Sequence, residues 1–223
     1  MKININYLDN QININKEEIN VLEIHNKSYL QRIIRDFNDI SNSLLNENIY
    51  FNNHQDEEVD LNGKIFLLFD YFNFQTKTYN LYLQKLIVKN LSEENQINIE
   101  NSYKKIYKEI KKSTNELEID ISIEPNFSID IIMKLIKLNL FQEETILKNI
   151  YNLIELESIL KINKLLIFVD LKKYLNNKEI EEVYKYSIYK EVNILLIESV
   201  NSKEKIKFEK VLKIDDNLEE YML

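Results

Sequence analysis

Three acidic residues, Asp70, Asp170 and Glu198, each end a short apolar run that predicts a buried β-strand. Ligands of open α/β sheets bind at the carboxyl ends of the strands, so these three side chains could converge on one divalent metal ion. Clustered carboxylates of this kind serve metal-dependent nucleases and phosphohydrolases. Strand-ending acids that cap helices or face solvent are the alternative, and no lysine or histidine stands at a fixed spacing to assist catalysis.

A lysine-rich stretch within Ile99–Lys112 is a second candidate site. Helical spacing places four of its lysines on one side, beside an apolar seam, and a fifth lies among them. Binding to DNA without regard to sequence requires only lysine against phosphate, but a solvated helix face explains the same pattern. The lysines of the stretch are Lys104, Lys105, Lys108, Lys111 and Lys112, and a weaker basic group consists of Lys161, Lys164, Lys172 and Lys173.

Acidic residues alternate with apolar ones just after the lysines. In an extended segment Glu116, Glu118 and Asp120 would share one face, with Glu124 and Asp130 close behind. Carboxylates gathered this closely repel one another unless a cation lies among them, and oxygen ligands without histidine favour calcium over zinc. The alternative is a solvated acidic edge that protects an exposed strand.

The elements that would position these residues are clearest between Lys164 and Ser199. Two apolar runs, Leu165–Val169 and Val192–Ile197, flank a stretch with helical periodicity. Asn176 and Glu179 have the spacing of a capping box at the start of that helix. The pattern predicts a βαβ unit with parallel strands and a right-handed crossover.

The rest of the chain predicts strands, then helices, before this unit. A hairpin turning at Asp9-Asn10 precedes a third strand at 19–24, a helix at 26–44 and a strand at 64–70. We therefore expect an α/β fold, with a head domain built from residues 1–70 and 161–223 and a helical lobe inserted between them at 71–160. Four helices are predicted in the lobe, at 76–91, 92–112, 129–140 and 143–160.

Composition excludes several classes of site. Gly63 is the only glycine, so neither GxxxxGK[ST] nor GxGxxG exists in the 223 residues. His25 and His54 are the only histidines, and cysteine is absent, which leaves no histidine-rich zinc site and no disulfide. No apolar run or leader predicts a membrane span or secretion, and the lack of cysteine fits the expected cytoplasmic location. The net charge of -8 opposes indiscriminate nucleic-acid binding, although a local basic face can override it.

Several strings resemble the family of small CRISPR-associated proteins that act in type II-A spacer acquisition. The most specific is Lys164–Val169, followed by Tyr174-Leu175, Lys178-Glu179 and then Asn193–Glu198. Weaker agreement comes from two earlier strings, 65–70 with Phe74 and 131–140, and from the length and order of elements. The chain departs from the family at Lys172-Lys173, where small residues are usual, and in its near-absence of glycine.

The resemblance implies a P-loop-kinase-like head that lacks the nucleotide motif, with an inserted α-helical leg. It implies a non-enzymatic ring of four subunits that holds double-stranded DNA in a basic hole, binds DNA ends and assists the CRISPR integrase and effector proteins. Calcium would order the leg. DNA would then be bound by Lys104, Lys105, Lys108, Lys111, Lys112, Lys172 and Lys173, and calcium by Glu116, Glu118, Asp120, Glu124 and Asp130. A metal-dependent nuclease using Asp70, Asp170 and Glu198, or a pure protein-interaction scaffold, remains the alternative.

Overall fold

The computed structural model describes residues 1–15, 17–72, 77–114, 122–136, 138, 143–199 and 205–223. Its chain forms two compact units, one built from Met1–Phe74 with Gln142–Leu223 and the other from Gln75–Phe141. In chain order the elements are β1 (Lys2–Ile5), β2 (Ile12–Asn13), β3 (Ile19–Ile24), α1 (Lys27–Ser41), β4 (Ile49–Asn52), β5 (Ile65–Leu68), α2 (Lys77–Lys89), α3 (Glu93–Thr114), α4 (Ile129–Leu135), α5 (Ile146–Leu160), β6 (Leu165–Val169), a 3-10 turn (Leu171–Lys173), α6 (Asn177–Tyr189), β7 (Ile194–Glu198), β8 (Glu209–Ile214) and β9 (Glu220–Met222).

A mixed sheet with the strand order β5-β6-β7-β3-β8-β9 forms the centre of the first unit. Its strands are parallel from β5 to β8, and β9 is antiparallel to β8. The predicted βαβ unit is confirmed, since β6 and β7 are parallel neighbours joined through α6. The capping box is confirmed as well, because Asn176 accepts the backbone N–H of Glu179 while the Glu179 carboxylate accepts the N–H of Asn176. The fold is therefore α/β with a mixed sheet.

The core on one side of this sheet is formed with α1 and a small antiparallel sheet of order β2-β1-β4. The stripe Ile33, Phe37 and Ile40 of α1 is buried there because it repeats at helical intervals. Leu22 and Ile24 of β3 belong to the same core. Alternate residues of a strand point to opposite faces, so the residue between them, Glu23, points away from α1.

Two parts of the fold differ from expectation. The helix α5, placed by its sequence in the inserted lobe, belongs to the first unit, where the rings of Tyr151 on α5 and Tyr186 on α6 lie 4.7 Å apart. Its C-terminal half is joined to the C-cap of α6 by the ion pair of Glu155 with Lys190, 2.5 Å long. The strands β8 and β9 had no counterpart in the sequence analysis, although the apolar residues of β8 are buried between charged ones.

The second unit consists of α2, α3 and α4 with the segment that leads into α4. Tyr79 and Met133 are buried in it, and Gln84 donates a hydrogen bond to the carbonyl oxygen of Met133 over 3.0 Å. The long helix α3 has no fully buried residue, so its apolar seam is only partly covered. Nowhere in the described parts of the chain is a helix both long and apolar enough to cross a membrane.

Candidate functional site

Asp170 follows β6 directly and has a left-handed backbone with φ 57°. Its Oδ1 accepts hydrogen bonds from the backbone N–H and the hydroxyl of Ser199, over 2.8 and 2.7 Å, and its Oδ2 lies 2.7 Å from the ammonium group of Lys173. Burial opposes ionisation of this carboxyl, but the bonds from Lys173 and Ser199 outweigh burial and hold the pKa of Asp170 below its usual value. Asp170 is thus a charged group that ties the ends of β6 and β7 together.

The other strand-ending acids have different surroundings. Glu198 is fully buried at the end of β7, whereas Asp70 is exposed and its Oδ1 accepts the backbone N–H of Phe72 over 2.9 Å. Within the described ranges, no three acidic or histidine side chains are grouped in a way that could hold a metal ion. The structure therefore does not gather Asp70, Asp170 and Glu198 around a metal, because each carboxylate has different hydrogen-bond partners.

A buried ionic cluster lies beneath the turn that follows β6. The side chain of Lys172 is only 8% exposed, and its ammonium nitrogen lies 2.8 Å from Glu209 Oε1 and 3.8 Å from Glu23 Oε1. The hydroxyl of Tyr184, on α6, donates to the same oxygen of Glu209 over 2.5 Å. Lys172 is consequently not placed to meet a DNA phosphate, because its charge is directed into the interior and not toward solvent.

Strand alternation brings the acids of this cluster together. Glu23 stands directly opposite Glu198 in the register of β3 and β7. The neighbours Leu22, Ile24, Leu195, Ile197, Leu212 and Ile214 all belong to the α1 core, so Glu23, Glu198 and Glu209 share the other face. Glu23 and Glu209 were not recognised as members of a cluster from the sequence. The available signal was an acid inside the largely apolar run INVLEI, and another at the start of EKVLKI, where apolar residues alternate with two lysines.

The five lysines of α3 are all exposed. Lys104 forms an ion pair with Glu100 and Lys112 with Glu109, over 2.7 and 2.8 Å. No ion pair with another described residue involves Lys105, Lys108 or Lys111. The helix therefore presents a row of ammonium groups to solvent, with two of them partly neutralised.

The acidic segment is only partly described. Glu116, Glu118 and Asp120 lie outside the described residues, and Glu124 and Asp130 are exposed. Asp130 is in the first turn of α4, where a negative charge is favourable to the helix dipole. The chain around Glu124 runs beside α3, because the hydroxyl of Tyr107 donates to the carbonyl oxygen of Ile123 over 2.8 Å and that of Tyr103 to Asn126 over 3.1 Å.

Comparison with known proteins gives a family. The model of the family described as CRISPR-associated protein (Cas_Csn2) matches residues 43–218, which is most of the chain. Among solved structures, one titled crystal structure of Stu0660 of Streptococcus thermophilus matches with a TM-score of 0.64 and 11% identity, covering 100% of this chain and 76% of that one. At that identity the match shows the fold alone. No curated protein sequence matches. The extent of the family match is decisive, and this chain belongs to the Cas_Csn2 family of CRISPR-associated proteins.

Proposed function

We propose that this chain is a non-catalytic, ring-forming binder of double-stranded DNA that acts on DNA ends in CRISPR spacer acquisition. The observation that carries the proposal is the family match over residues 43–218. Its partners would be double-stranded DNA, further copies of itself in a four-subunit ring, and the integrase and effector proteins of the same CRISPR system.

The first unit supports a P-loop-kinase-like head without nucleotide chemistry. Its parallel strands would provide the frame, but the link from β3 to α1 is only His25 and Asn26. Asn26 uses its side chain to cap α1, accepting the backbone N–H of Tyr29 over 3.0 Å. A glycine-rich phosphate loop needs several residues with free N–H groups at this place, and the sequence supplies neither the length nor the glycines.

The lysine row on α3 is the best-supported contact with DNA. Its ammonium groups project from one long exposed helix, and Lys105, Lys108 and Lys111 are not committed to any described acid. Lysine against phosphate gives affinity without sequence preference, which suits a protein that must hold any incoming DNA. Lys173 is a further candidate, since its side chain is 44% exposed and its ammonium can exchange Asp170 for phosphate.

Calcium is proposed as the ion of the acidic segment. Glu116, Glu118 and Asp120, together with Glu124 and Asp130, offer carboxylate oxygens only, which is the ligand chemistry that calcium prefers. A bound ion would fix the segment that Tyr103 and Tyr107 hold beside α3. Calcium would therefore order the lysine row indirectly.

The proposal is tested by comparing binding to linear and covalently closed circular DNA of the same sequence and length, with calcium present. A ring that loads from ends should retain the linear form and release the circle, and equal retention of both would contradict loading at ends. The triple variant Lys105→Ala, Lys108→Ala and Lys111→Ala should bind linear DNA more weakly. A matched triple, Lys27→Ala, Lys178→Ala and Lys207→Ala, removes the same charge from exposed positions of the first unit and should not.

The same experiment separates the alternatives. Cleavage of the DNA on addition of magnesium or manganese, abolished in Asp170→Asn, would indicate a nuclease. A complete lack of DNA binding at low salt would indicate a protein-interaction scaffold.

A further inference from the structure

The interior of the first unit contains more acid than base. Glu23, Glu198 and Glu209 are each at most 3% exposed. Among the described residues, the buried Lys172 lies beside Glu209, and the half-buried Lys213 stands opposite Glu23 in the register of β3 and β8. A buried charge is costly unless a partner of opposite sign compensates it. Two lysines leave one of the three carboxylates without a cation of its own, so full ionisation of this cluster is unfavourable.

The hydrogen bonds identify the acid that carries the proton. Glu209 accepts from the ammonium of Lys172 and the hydroxyl of Tyr184 at Oε1, and from the backbone N–H of Ile206 at Oε2. Glu198 accepts only the backbone N–H of Lys172 at Oε1, over 3.1 Å, and its Oε2 has no hydrogen-bond partner among the described residues. Glu209 is thus surrounded by hydrogen-bond donors, whereas Glu198 has one donor at Oε1 and none among the described residues at Oε2. Burial raises the pKa of Glu198 to about 8, which agrees with this assignment.

Glu198 also lies directly under the 3-10 turn Leu171–Lys173. Lys172 is attached twice, through its backbone N–H to Glu198 and through its ammonium to Glu209. The residues that follow it, Lys173 and Tyr174, are exposed, so the turn separates the cluster from water. An ionised Glu198 would face the charge of Asp170 and would have to compete with Glu209 for Lys172. Outward movement of the turn would expose that carboxylate to water and so hydrate its charge.

We propose that Glu198 and Lys172 form a proton-operated latch, in which the neutral carboxyl holds the 3-10 turn on the sheet and loss of its proton favours opening. The latch does not depend on the proposed function. The ionisable groups that face Glu198 from the surrounding elements are Asp170 after β6, Lys172 in the turn, Glu23 on β3, Glu209 and Lys213 on β8, Tyr184 on α6 and Tyr71 after β5.

Linkage sets the pH window in which the latch should weaken. Opening moves Glu198 into water, where its carboxyl has an ordinary pKa of about 4.3. Opening therefore becomes up to about tenfold more favourable per pH unit above that value, and the effect levels off above about 8, where the closed form also loses its proton. Below the ordinary pKa, Glu198 keeps its proton in both the closed and the open form, so opening does not depend on pH there.

Hydrogen–deuterium exchange of the whole chain tests this latch. After correction for the intrinsic effect of pH, amides of residues 171–175 should exchange up to about tenfold faster per unit between pH 5.5 and 7.5 and then level off, while those of β6 should not. Glu198→Gln should abolish the dependence, and the matched change Glu182→Gln on the exposed side of α6 should keep it. An exchange rate in the native protein that follows only the intrinsic pH effect, or the same excess in Glu198→Gln, would overturn the latch. The native measurement is decisive by itself if the variant does not fold.

Discussion

The ammonium nitrogen of Lys172 lies 2.8 Å from Oε1 of Glu209, and both side chains are almost completely enclosed in the first unit. Lys172 stood in the sequence as one of two adjacent lysines in a polar loop, where both were candidates for DNA binding. The structure separates the two, because Lys172 points inward to a carboxylate while Lys173 remains 44% exposed beside Asp170. Adjacent residues of the same type thus have different energetic roles.

The first prediction compares these two lysines. Lys172→Met should lower the free energy of unfolding by about 3 to 5 kcal/mol, since it leaves Glu209 buried without its cation. Lys173→Met removes an exposed pair and should cost less than about 1 kcal/mol. Urea unfolding of both variants provides the measurement. Equal, small losses would show that Lys172 is not buried in solution.

The double variant Lys172→Met with Glu209→Gln is the control for the mechanism. Removing both charges should recover part of the loss, because the cost of the single change is mainly the uncompensated carboxylate. If the double variant lost more free energy of unfolding than the two single variants lose together, that explanation would be contradicted.

The second prediction concerns the pH dependence of global stability. The pKa of Glu198 is raised to about 8 in the folded chain by burial, from about 4.3 when unfolded. The group therefore contributes stability that is fully present below about pH 4.3 and is lost as the pH rises to about 8. Glu198→Gln should remove this loss, so that stability of the variant relative to the native chain rises by up to about 1.4 kcal/mol per pH unit within that window. Melting curves from pH 5 to 9 test it, and a constant difference would contradict the raised pKa.

The parts of the fold that could be predicted were those that depend on patterns of residues close in sequence. The apolar run of β6, the capping box of Asn176 with Glu179 and the run of β7 each involve residues close in sequence, and together they defined the βαβ unit. The stripe on α1 was equally local. Such patterns do not depend on which other elements pack nearby.

What escaped prediction depends on distant partners. Glu23 is tolerated inside β3 because distant segments bring cations to it, since Lys172 lies 3.8 Å away and Lys213 stands opposite it on β8. The assignment of α5 to the first unit follows from its packing on α6, since its own amphipathic pattern is compatible with either unit. For the same reason the lysine row could be recognised as a helix face but not assigned to a ligand, because no pattern within α3 distinguishes a phosphate-binding face from a solvated one.

The third prediction concerns how DNA is held. If the row on α3 contacts phosphates, log affinity should fall linearly with log salt, by about 0.9 for each phosphate neutralised. Replacing Lys104, Lys108 and Lys111 by alanine should flatten this slope and weaken binding equally for unrelated DNA sequences. The variant should melt as the native chain does, because all three side chains are exposed. An unchanged slope would indicate that these lysines do not contact phosphates and form a solvated helix face.

The last prediction is that the second unit binds calcium through its acidic segment. An ion that binds only the folded state stabilises it by mass action, about 2.7 kcal/mol at a concentration one hundred times the dissociation constant. The melting temperature should therefore rise with calcium and fall again with a chelator, and magnesium should be less effective because it requires tighter octahedral geometry. Glu118→Gln with Asp120→Asn should abolish the shift. The matched double change Glu17→Gln with Glu18→Gln alters charge equally at exposed positions of the first unit and should leave the shift intact. A full calcium shift in the first double variant, or a native melting temperature indifferent to calcium, would exclude these carboxylates as ligands.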